Sequence, residues 1–268
     1  MSKNQPRTRP VPAVSPRPAS PRLSRFAPSP PPAPGQKRSL KGWVWLVVSR
    51  IVLWFVISSV GSVVLMKWVP VLVTPTMLDR KISALATGTD SELHYDWTAY
   101  DDLSWQAPIA FVAAEDQRFP AHYGFDFEAM GQAFQYNMRG KRTKGASTIS
   151  QQVAKNVFLW QGRSYFRKGL EAWFTLLIET IWGKKRILEV YLNVAETGPM
   201  TFGVEAASQR FYGHSAQILS RSEAARMAAV LPSPNRFLIA RPSGYVQRRT
   251  AFISRQMRGL GRGYLAGL

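Results

Sequence analysis

An apolar stretch near the N-terminus constrains this chain more than any other feature of its sequence. From Trp43 to Met66 the residues are almost wholly apolar, and the one charge, Arg50, lies near the start. A helix rises about 1.5 Å per residue, so this stretch can cross a hydrocarbon core of roughly 30 Å. The sequence therefore predicts a transmembrane helix over residues 43–67. A cleaved signal peptide is the alternative, but its apolar region is only about 7 to 15 residues long, which favours an uncleaved anchor.

The residues before this stretch predict a disordered tail. Residues 1–41 hold eleven of the 19 prolines and nine Lys or Arg, with no Asp or Glu. Such a composition cannot bury enough apolar surface to offset the entropy of ordering. After the stretch only Lys67 precedes Arg80, so the positive-inside rule puts the basic, proline-rich tail in the cytoplasm. We therefore expect a single-pass membrane protein with residues 68–268 outside the cytoplasm, in a bacterial periplasm or its equivalent.

Charge limits the partners of the exported part. Without the eleven positive charges of the tail, Arg50 and Lys67, the net charge of +19 falls to +8. This part has about 200 residues, enough for one full core. Its topology favours anionic lipid or a phosphorylated substrate as a partner over nucleic acid. The absence of cysteine is compatible with the periplasm but does not establish it.

The exported part is predicted to be mainly α-helical. Residues 166–181 show apolar positions at a spacing of three and four, behind Ser164 as a possible N-cap. Alternating strand patterns are scarce. Further helices are predicted at residues 187–195, in an alanine-rich segment behind a capping-box pattern of Ser220 with Glu223, and at residues 246–260.

Glu115 is the first candidate for a catalytic residue. It belongs to an acidic pair with Asp116 and is flanked by Phe111, Phe119 and Phe125. Aromatic neighbours remove water from a carboxylate, and this raises its pKa. A carboxylate of that kind is suited to proton transfer near neutral pH.

A second segment, residues 145–156, predicts a polar helix face. Thr148 and Gln151 form a possible capping box. Thr148, Gln152 and Lys155 lie on the face opposite an apolar stripe of Ile149, Val153 and Val157. Hydroxyl, amide and ammonium groups on one face can hold a phosphorylated or sugar ligand. A solvated face of an ordinary amphipathic helix is the alternative.

A third segment places Arg167 and Glu171 four residues apart on the long helix. Residues at this spacing are neighbours on a helix surface. An ordinary surface ion pair is the default interpretation, and taken alone the segment says little.

Taken together, the segments resemble the glycosyltransferase domain of bacterial cell-wall polymerases, as found in class A penicillin-binding proteins and in monofunctional transglycosylases. The resemblance covers roughly residues 90–240 and continues through Gly198, Gly203 and the Leu-Pro-Ser-Pro element at residues 231–234. The matching patterns are E-D-x-x-F-x-x-H-x-G from Glu115 to Gly124, G-x-S-T-I-x-Q-Q-x-x-K-N from Gly145 to Asn156, R-K-x-x-E from Arg167 to Glu171, and I-L-E-x-Y-L-N from Ile187 to Asn193.

This resemblance implies a lysozyme-like helical domain, tethered by one transmembrane helix, that polymerises lipid II into β-1,4-linked glycan strands and releases undecaprenyl diphosphate. Glu115 would be the general base, and Lys155 and Arg167 would stabilise the diphosphate. Glu171 would be a second catalytic carboxylate, which orients Arg167, positions the donor or holds a divalent cation such as Mg or Mn. No organic cofactor is implied. Substrate-site or supporting positions would be Asp116, Ser147, Thr148, Gln152, Asn156 and Lys168, with His122 shaping the loop.

Aromatic and basic residues alternate between residues 158 and 174. Phe158, Trp160, Tyr165 and Phe166 are interleaved with Arg163, Arg167 and Lys168. This composition is typical of a surface that enters the lipid headgroup layer. Core packing is the alternative, above all for Trp173 and Phe174.

Two other functions stay open from the sequence. A lytic transglycosylase would cleave glycan strands with a similar glutamate, but it has less need of cations for a diphosphate. A non-enzymatic membrane-tethered scaffold would explain the tail and the anchor but not the collinear polar segments. No serine is followed three residues later by lysine, so we expect a monofunctional polymerase without a transpeptidase domain. Lipid II, the growing strand and membrane lipid are the expected partners, with other cell-wall synthesis or division proteins as further candidates.

Overall fold

The computed structural model describes residues 40–140, 145–162 and 164–268. The prediction of a disordered tail over residues 1–41 falls almost wholly outside these ranges. The chain divides at residue 50, and the unit of residues 50–268 contains the folded domain. Within the described ranges the domain is built from α-helices with one small sheet, which confirms the mainly α prediction.

Helix α1 runs over Leu40–Met66, so it begins three residues before the predicted span. It is long and apolar enough to cross a membrane, with a mean hydropathy of 2.0 in its most apolar window. Large side chains such as Ile51 and Trp54 are exposed along it. Exposed apolar side chains are what a lipid-facing helix requires.

Three helices follow in the first part of the domain. Helix α2 covers Pro75–Thr87, where the Thr74 side chain caps the N-terminus and Gly88 ends the helix in the left-handed conformation. Helix α3 covers Gln106–Glu115 and α4 covers Phe127–Met138. Seven of the ten residues of α3 are buried. A helix that is apolar on all sides belongs in a core, and α3 carries Glu115 at its end.

The central helices are α5 over Ile149–Phe158, α6 over Tyr165–Ile181 and α7 over Lys184–Val194. The structure confirms the capping box of Thr148 with Gln151 and the N-cap at Ser164. Helix α7 begins three residues earlier than predicted, because Gly183 provides its N-terminal boundary.

The last helices are α8 over Val204–Tyr212, α9 over Arg221–Val230 and α10 over Gly244–Leu260. The capping box of Ser220 with Glu223 is confirmed. Apolar side chains of α3, α5, α7 and α9 form the centre of one hydrophobic core. Short 3₁₀ turns lie at Tyr100–Asp102, Phe119–Ala121, Ala216–Ile218 and Arg262–Leu265.

One three-stranded sheet lies beside the helices. Strand β1 covers His94–Tyr95, β2 covers Glu196–Gly198 and β3 covers Thr201–Phe202, in the order β1-β3-β2. β1 is parallel to β3, and β2 is antiparallel to it. Strands of two or three residues are too short to show an alternating pattern, which is why the sequence did not predict them.

Candidate active site

Glu115 is the last residue of α3, and both of its carboxylate oxygens are occupied. Oε1 accepts a hydrogen bond from Arg249 Nη2 at 3.2 Å, and Oε2 accepts one from Gln152 Nε2 at 3.2 Å. Burial raises the pKa of Glu115, while Arg249 and Gln152 lower it by a smaller amount. The predicted desolvation of this carboxylate and its raised pKa are therefore confirmed.

Arg249 and Tyr191 belong to this network, although sequence analysis did not select either residue. Arg249 comes from α10, 134 positions after Glu115. The Tyr191 hydroxyl donates to Gln152 Oε1 at 3.1 Å, and the Phe111 ring packs edge-on against the Tyr191 ring at 6.0 Å. Arg249 is one of several arginines in α10, so nothing in its neighbouring sequence indicates that it binds Glu115. Tyr191 lies within the I-L-E-x-Y-L-N pattern, and this was the one sequence feature that pointed to a role in the site.

Asp116 supports α5 and does not face the cavity beside Glu115. Its carboxylate accepts from the backbone N–H of Ile149, the first residue of α5, at 3.0 Å. His122 Nε2 contacts both oxygens of Asp116 at 3.0 Å. A carboxylate at a helix N-terminus stabilises the helix dipole. The position of His122 agrees with the expected role in shaping the loop.

Thr148 is also committed to the fold. Its hydroxyl donates to the Gly124 carbonyl at 2.6 Å and accepts from Gln151 N at 3.2 Å. Thr148 is 3 % exposed, so it does not share the open face that was predicted for Gln152 and Lys155. The first motif thus carries Glu115 near one end and, through Asp116 and Gly124, holds the N-terminus of α5.

The open face of α5 lines a cavity of about 140 Å³ beside Glu115. Gln152, Lys155 and Asn156 line it together with Thr76 and Arg80 of α2. The predicted apolar stripe of Ile149, Val153 and Val157 is buried on the core side. Because Gln152 also binds Glu115, the cavity adjoins the proposed base. Five residues predicted to bind substrate or support its site are outside its lining: Asp116, Ser147, Thr148, Arg167 and Lys168.

Lys155 is the cation between the two carboxylates. Within the described parts of the chain its ammonium group has no hydrogen bond or ion pair. Burial lowers the pKa of Lys155, Glu171 raises it, and Arg167 and Lys168 lower it, with a smaller raising effect of Glu115. The negative charges of Glu171 and Glu115 therefore both act on the Lys155 ammonium group.

Glu171 is buried at 3 % exposure and binds two cations. Arg167 Nη1 donates to Oε2 at 3.2 Å, and Lys168 Nζ donates to Oε1. The default interpretation of an exposed ion pair is therefore wrong for Arg167 and Glu171, because the Arg167 side chain is only 11 % exposed. Among the residues that the structure describes, no group of three or more His, Cys, Asp or Glu side chains could hold a metal ion.

The aromatic residues around α6 divide into two groups. Tyr165, Phe166 and Trp160 are exposed. Phe158 instead stacks on the buried Phe174 with ring centroids 4.5 Å apart, so core packing explains these two. Arg163, which was part of the predicted pattern, lies outside the described residues.

Helix α6 lies alongside the second half of α1. Trp173 Nε1 donates to Ser59 Oγ at 3.1 Å, and Trp182 Nε1 donates to the Val63 carbonyl at 2.7 Å. The Phe55 and Trp173 rings are 6.2 Å apart. The exposed aromatic residues at the start of α6 therefore belong to the helix that packs on the apolar anchor.

Comparison with known proteins identifies the family of this chain. The transglycosylase family model matches residues 81–258, a wider region than the sequence patterns covered. The biosynthetic peptidoglycan transglycosylase of Pseudomonas aeruginosa is 51% identical over 212 residues, 79% of this chain and 91% of that protein. The protein of that name from Xanthomonas campestris pv. campestris (strain B100) is 51% identical over 231 residues, 85% of this chain and 92% of its own length. The chain belongs to the transglycosylase family.

Proposed function

We propose that this protein is a membrane-anchored peptidoglycan glycosyltransferase that polymerises lipid II into β-1,4-linked strands and releases undecaprenyl diphosphate. The observation that carries the proposal is the path from Glu115 through Gln152 to a cavity lined by the unpaired Lys155. A base next to a partly buried cation is what attack on a diphosphate donor requires. The relatives are named as biosynthetic enzymes, which favours polymerisation over strand cleavage.

The reaction moves one proton and exchanges one bond. The 4-hydroxyl of the acceptor sugar gives its proton to Glu115 while its oxygen attacks the anomeric carbon of the donor. The bond from that carbon to the diphosphate oxygen breaks with its electron pair on the diphosphate. A single direct displacement converts the α-linked donor into a β-linked product without a glycosyl-enzyme intermediate. Arg249 and Gln152 hold the Glu115 carboxylate in place for this step.

Lys155 stabilises the charge that develops on the leaving diphosphate, because a preorganised cation in a partly buried site acts strongly. Glu171 fixes Arg167 and Lys168 near Lys155. Both Glu171 oxygens already face a cation, so this donor set does not fit a divalent metal, and no step passes through one. Strand cleavage has no diphosphate leaving group and leaves Lys155 without a role.

The proposed location is the inner membrane, with the tail in the cytoplasm and the domain in the periplasm. The eight positive charges before α1, together with Lys41 at its start, support this orientation. Ser59, which contacts Trp173 of α6, lies about 10 Å before the outer end of α1 at 1.5 Å per residue. Helix α6 would then reach the outer leaflet, where a lipid-linked substrate is held.

The test is polymerisation of purified lipid II by Glu115→Gln. We expect a loss of about 10² to 10⁴ in turnover with the fold retained, because the amide cannot accept the proton. Glu92→Gln, at an exposed site, is the matched control and should polymerise normally. Near-normal synthesis by Glu115→Gln, or cleavage of preformed strands in place of elongation, would refute the proposal.

A further inference from the structure

The cavity beside Glu115 has a wall that the sequence patterns did not include, helix α2. Thr76 and Arg80 of α2 line this cavity together with Lys155 and Asn156 of α5. Arg80 lies one residue before the region that the family model matches. The helix that follows the membrane anchor thus forms part of the candidate active site.

Arg80 is held in one orientation by its neighbours. Its Nε and Nη2 atoms donate to Glu196 Oε2 at 3.1 and 2.9 Å. Asn235 Nδ2 donates to the other oxygen, Glu196 Oε1, at 3.0 Å. The Arg80 side chain keeps 42 % exposure while Glu196 has 10 %. In the described part of the chain Arg80 Nη1 has no partner, so its donors are available to a ligand in the cavity.

Helix α2 is also hydrogen-bonded to the segment that follows α5, which lines another side of the cavity. Gln161 Nε2, in the segment after α5, donates to Thr76 Oγ1 at 2.6 Å. The α2 wall is therefore attached both to the end of α5 and to strand β2. Groups held in this way before a ligand arrives lose little entropy on binding.

The lining selects a polar ligand of moderate size. The volume of about 140 Å³ is several times the roughly 30 Å³ share of one water molecule. A lipid chain there would leave the Lys155 ammonium group and the Arg80 Nη1 atom without partners in the described part of the chain. The charge of Arg80 is balanced by Glu196, so this end of the cavity is less suited to a second phosphate than the Lys155 end. A sugar ring, with hydroxyl and acetamido groups, offers both donors and acceptors.

We propose that Arg80 is a substrate-binding residue, held in place by Glu196, that hydrogen-bonds the donor sugar joined to the diphosphate. This inference rests on the proposed function, because the identity of the donor comes from it. That sugar is bonded to the leaving group near Lys155 and is attacked at the carbon that faces the Glu115 side. Gln152 and Lys155, one turn apart on α5, connect these two positions along the cavity.

The experiment measures binding and turnover of fluorescently labelled lipid II by the full-length protein in vesicles. Arg80→Met should weaken binding about tenfold and raise KM by a similar factor, with kcat within about threefold, as for loss of one charge-assisted hydrogen bond. Lys81→Met, at the exposed next position of α2, is the matched control and should behave like the parent protein. Arg80→Lys keeps the charge but loses the pair of donors that binds Glu196 Oε2 and the free Nη1 atom. It should recover only part of the affinity.

Removing Arg80 leaves Glu196 with Asn235 alone, so thermal unfolding of each variant must accompany the kinetics. If Arg80→Met unfolds, the double variant Arg80→Gln/Glu196→Gln retains a neutral hydrogen-bonding pair and should show the same loss of affinity. Unchanged binding by a folded Arg80 variant would overturn the inference. A parent protein that binds lipid II but does not elongate it would refute the proposed function, yet weaker binding by Arg80→Met would still support this inference. A parent protein that does not bind lipid II would overturn both.

Discussion

At the scale of single residues, the chemistry of Glu115 is set by groups from several elements. Arg249 of α10 and Gln152 of α5 bind its oxygens, while Asp116 and Lys155 act on it through their charges. Burial favours the protonated carboxyl, and Arg249 is the strongest group that opposes this effect. The balance raises the pKa of Glu115 above that of an exposed glutamate, as the proposed general base requires, and Arg249 limits the rise.

Arg249→Met should move the acidic limb of the pH profile of kcat/KM to higher pH. A general base works only when it is deprotonated, so activity falls as the pH drops through the pKa of Glu115. Removing the cation raises this pKa further and should lower kcat/KM about tenfold at the acidic end of the range, with a smaller loss at alkaline pH. The profile is measured with lipid II from pH 5 to 9.

Arg248→Met is the matched control, because Arg248 is exposed on the same helix. Its acidic limb should coincide with that of the parent protein. An unshifted limb in folded Arg249→Met would show that the contact with Glu115 does not control the proton.

At the scale of elements, the site depends on close contacts where helices and strands join. Asn193, near the end of α7, binds Thr98 through Oδ1 and Nδ2, each at 2.9 Å. Gly203 at the start of α8 has a φ of 85° and packs directly on the Asn193 backbone. This contact explains why the resemblance extends through Gly203, a position with no polar chemistry of its own.

Gly203→Ala should therefore destabilise the domain strongly. A Cβ atom there would lie 2.6 Å from the Asn193 carbonyl oxygen, and the positive φ adds strain. We expect the free energy of unfolding to fall by about 3 kcal/mol or more in a denaturant titration.

Gly213→Ala is the control that measures the cost of a positive φ without a steric clash. Gly213 has a φ of 75°, but no atom lies within 4 Å of the position of an added Cβ. This change should cost only about 1 kcal/mol. Equal losses for the two variants would show that the contact with Asn193 contributes nothing.

At the scale of the whole molecule, the unit from residue 50 onward includes the C-terminal part of α1, residues 50–66. Arg186 Nη2 donates to the carbonyls of Met66 and Val69 at 2.9 and 2.7 Å and so satisfies the C-terminal end of α1. Trp173 and Trp182 bind the preceding turns. The part of α1 from residue 50 onward is thus packed against the helical domain and is not joined to it by a free linker.

Tyr165→Ser/Phe166→Ser should impair the enzyme mainly when lipid II is in a bilayer. Tyr165 and Phe166 are 99 % and 71 % exposed at the start of the helix that packs on α1. If they enter the headgroup layer, removing them should raise KM in vesicles by roughly tenfold and change it little in detergent micelles. Ile218→Ser, an equally exposed apolar site on a 3₁₀ turn, should change neither value. Equal KM increases in vesicles and micelles would contradict a membrane-facing surface.

The polar residues of α5 show how far sequence patterns could define the candidate site. Periodicity correctly placed Gln152 and Lys155 opposite the buried Ile149 stripe, because residues three and four apart share a helix face. It placed Thr148 on that open face as well, but the hydroxyl is used by Gly124, a partner 24 positions away. Phe158 was similarly placed with the exposed aromatics, although its stacking on Phe174 is a contact between two helices.

The sequence by itself determined the apolar helix, the helix caps and the order of the polar segments, because these depend on residues within about four positions of one another or on simple length. Only the tertiary structure decided that Arg249 binds Glu115, that Glu196 holds Arg80 against the cavity, and that Asp116 serves the N-terminus of α5. These partners lie from 33 to 134 positions apart. Their contacts exist only after the core has packed, since burial brings the groups together and removes the water that would otherwise satisfy them.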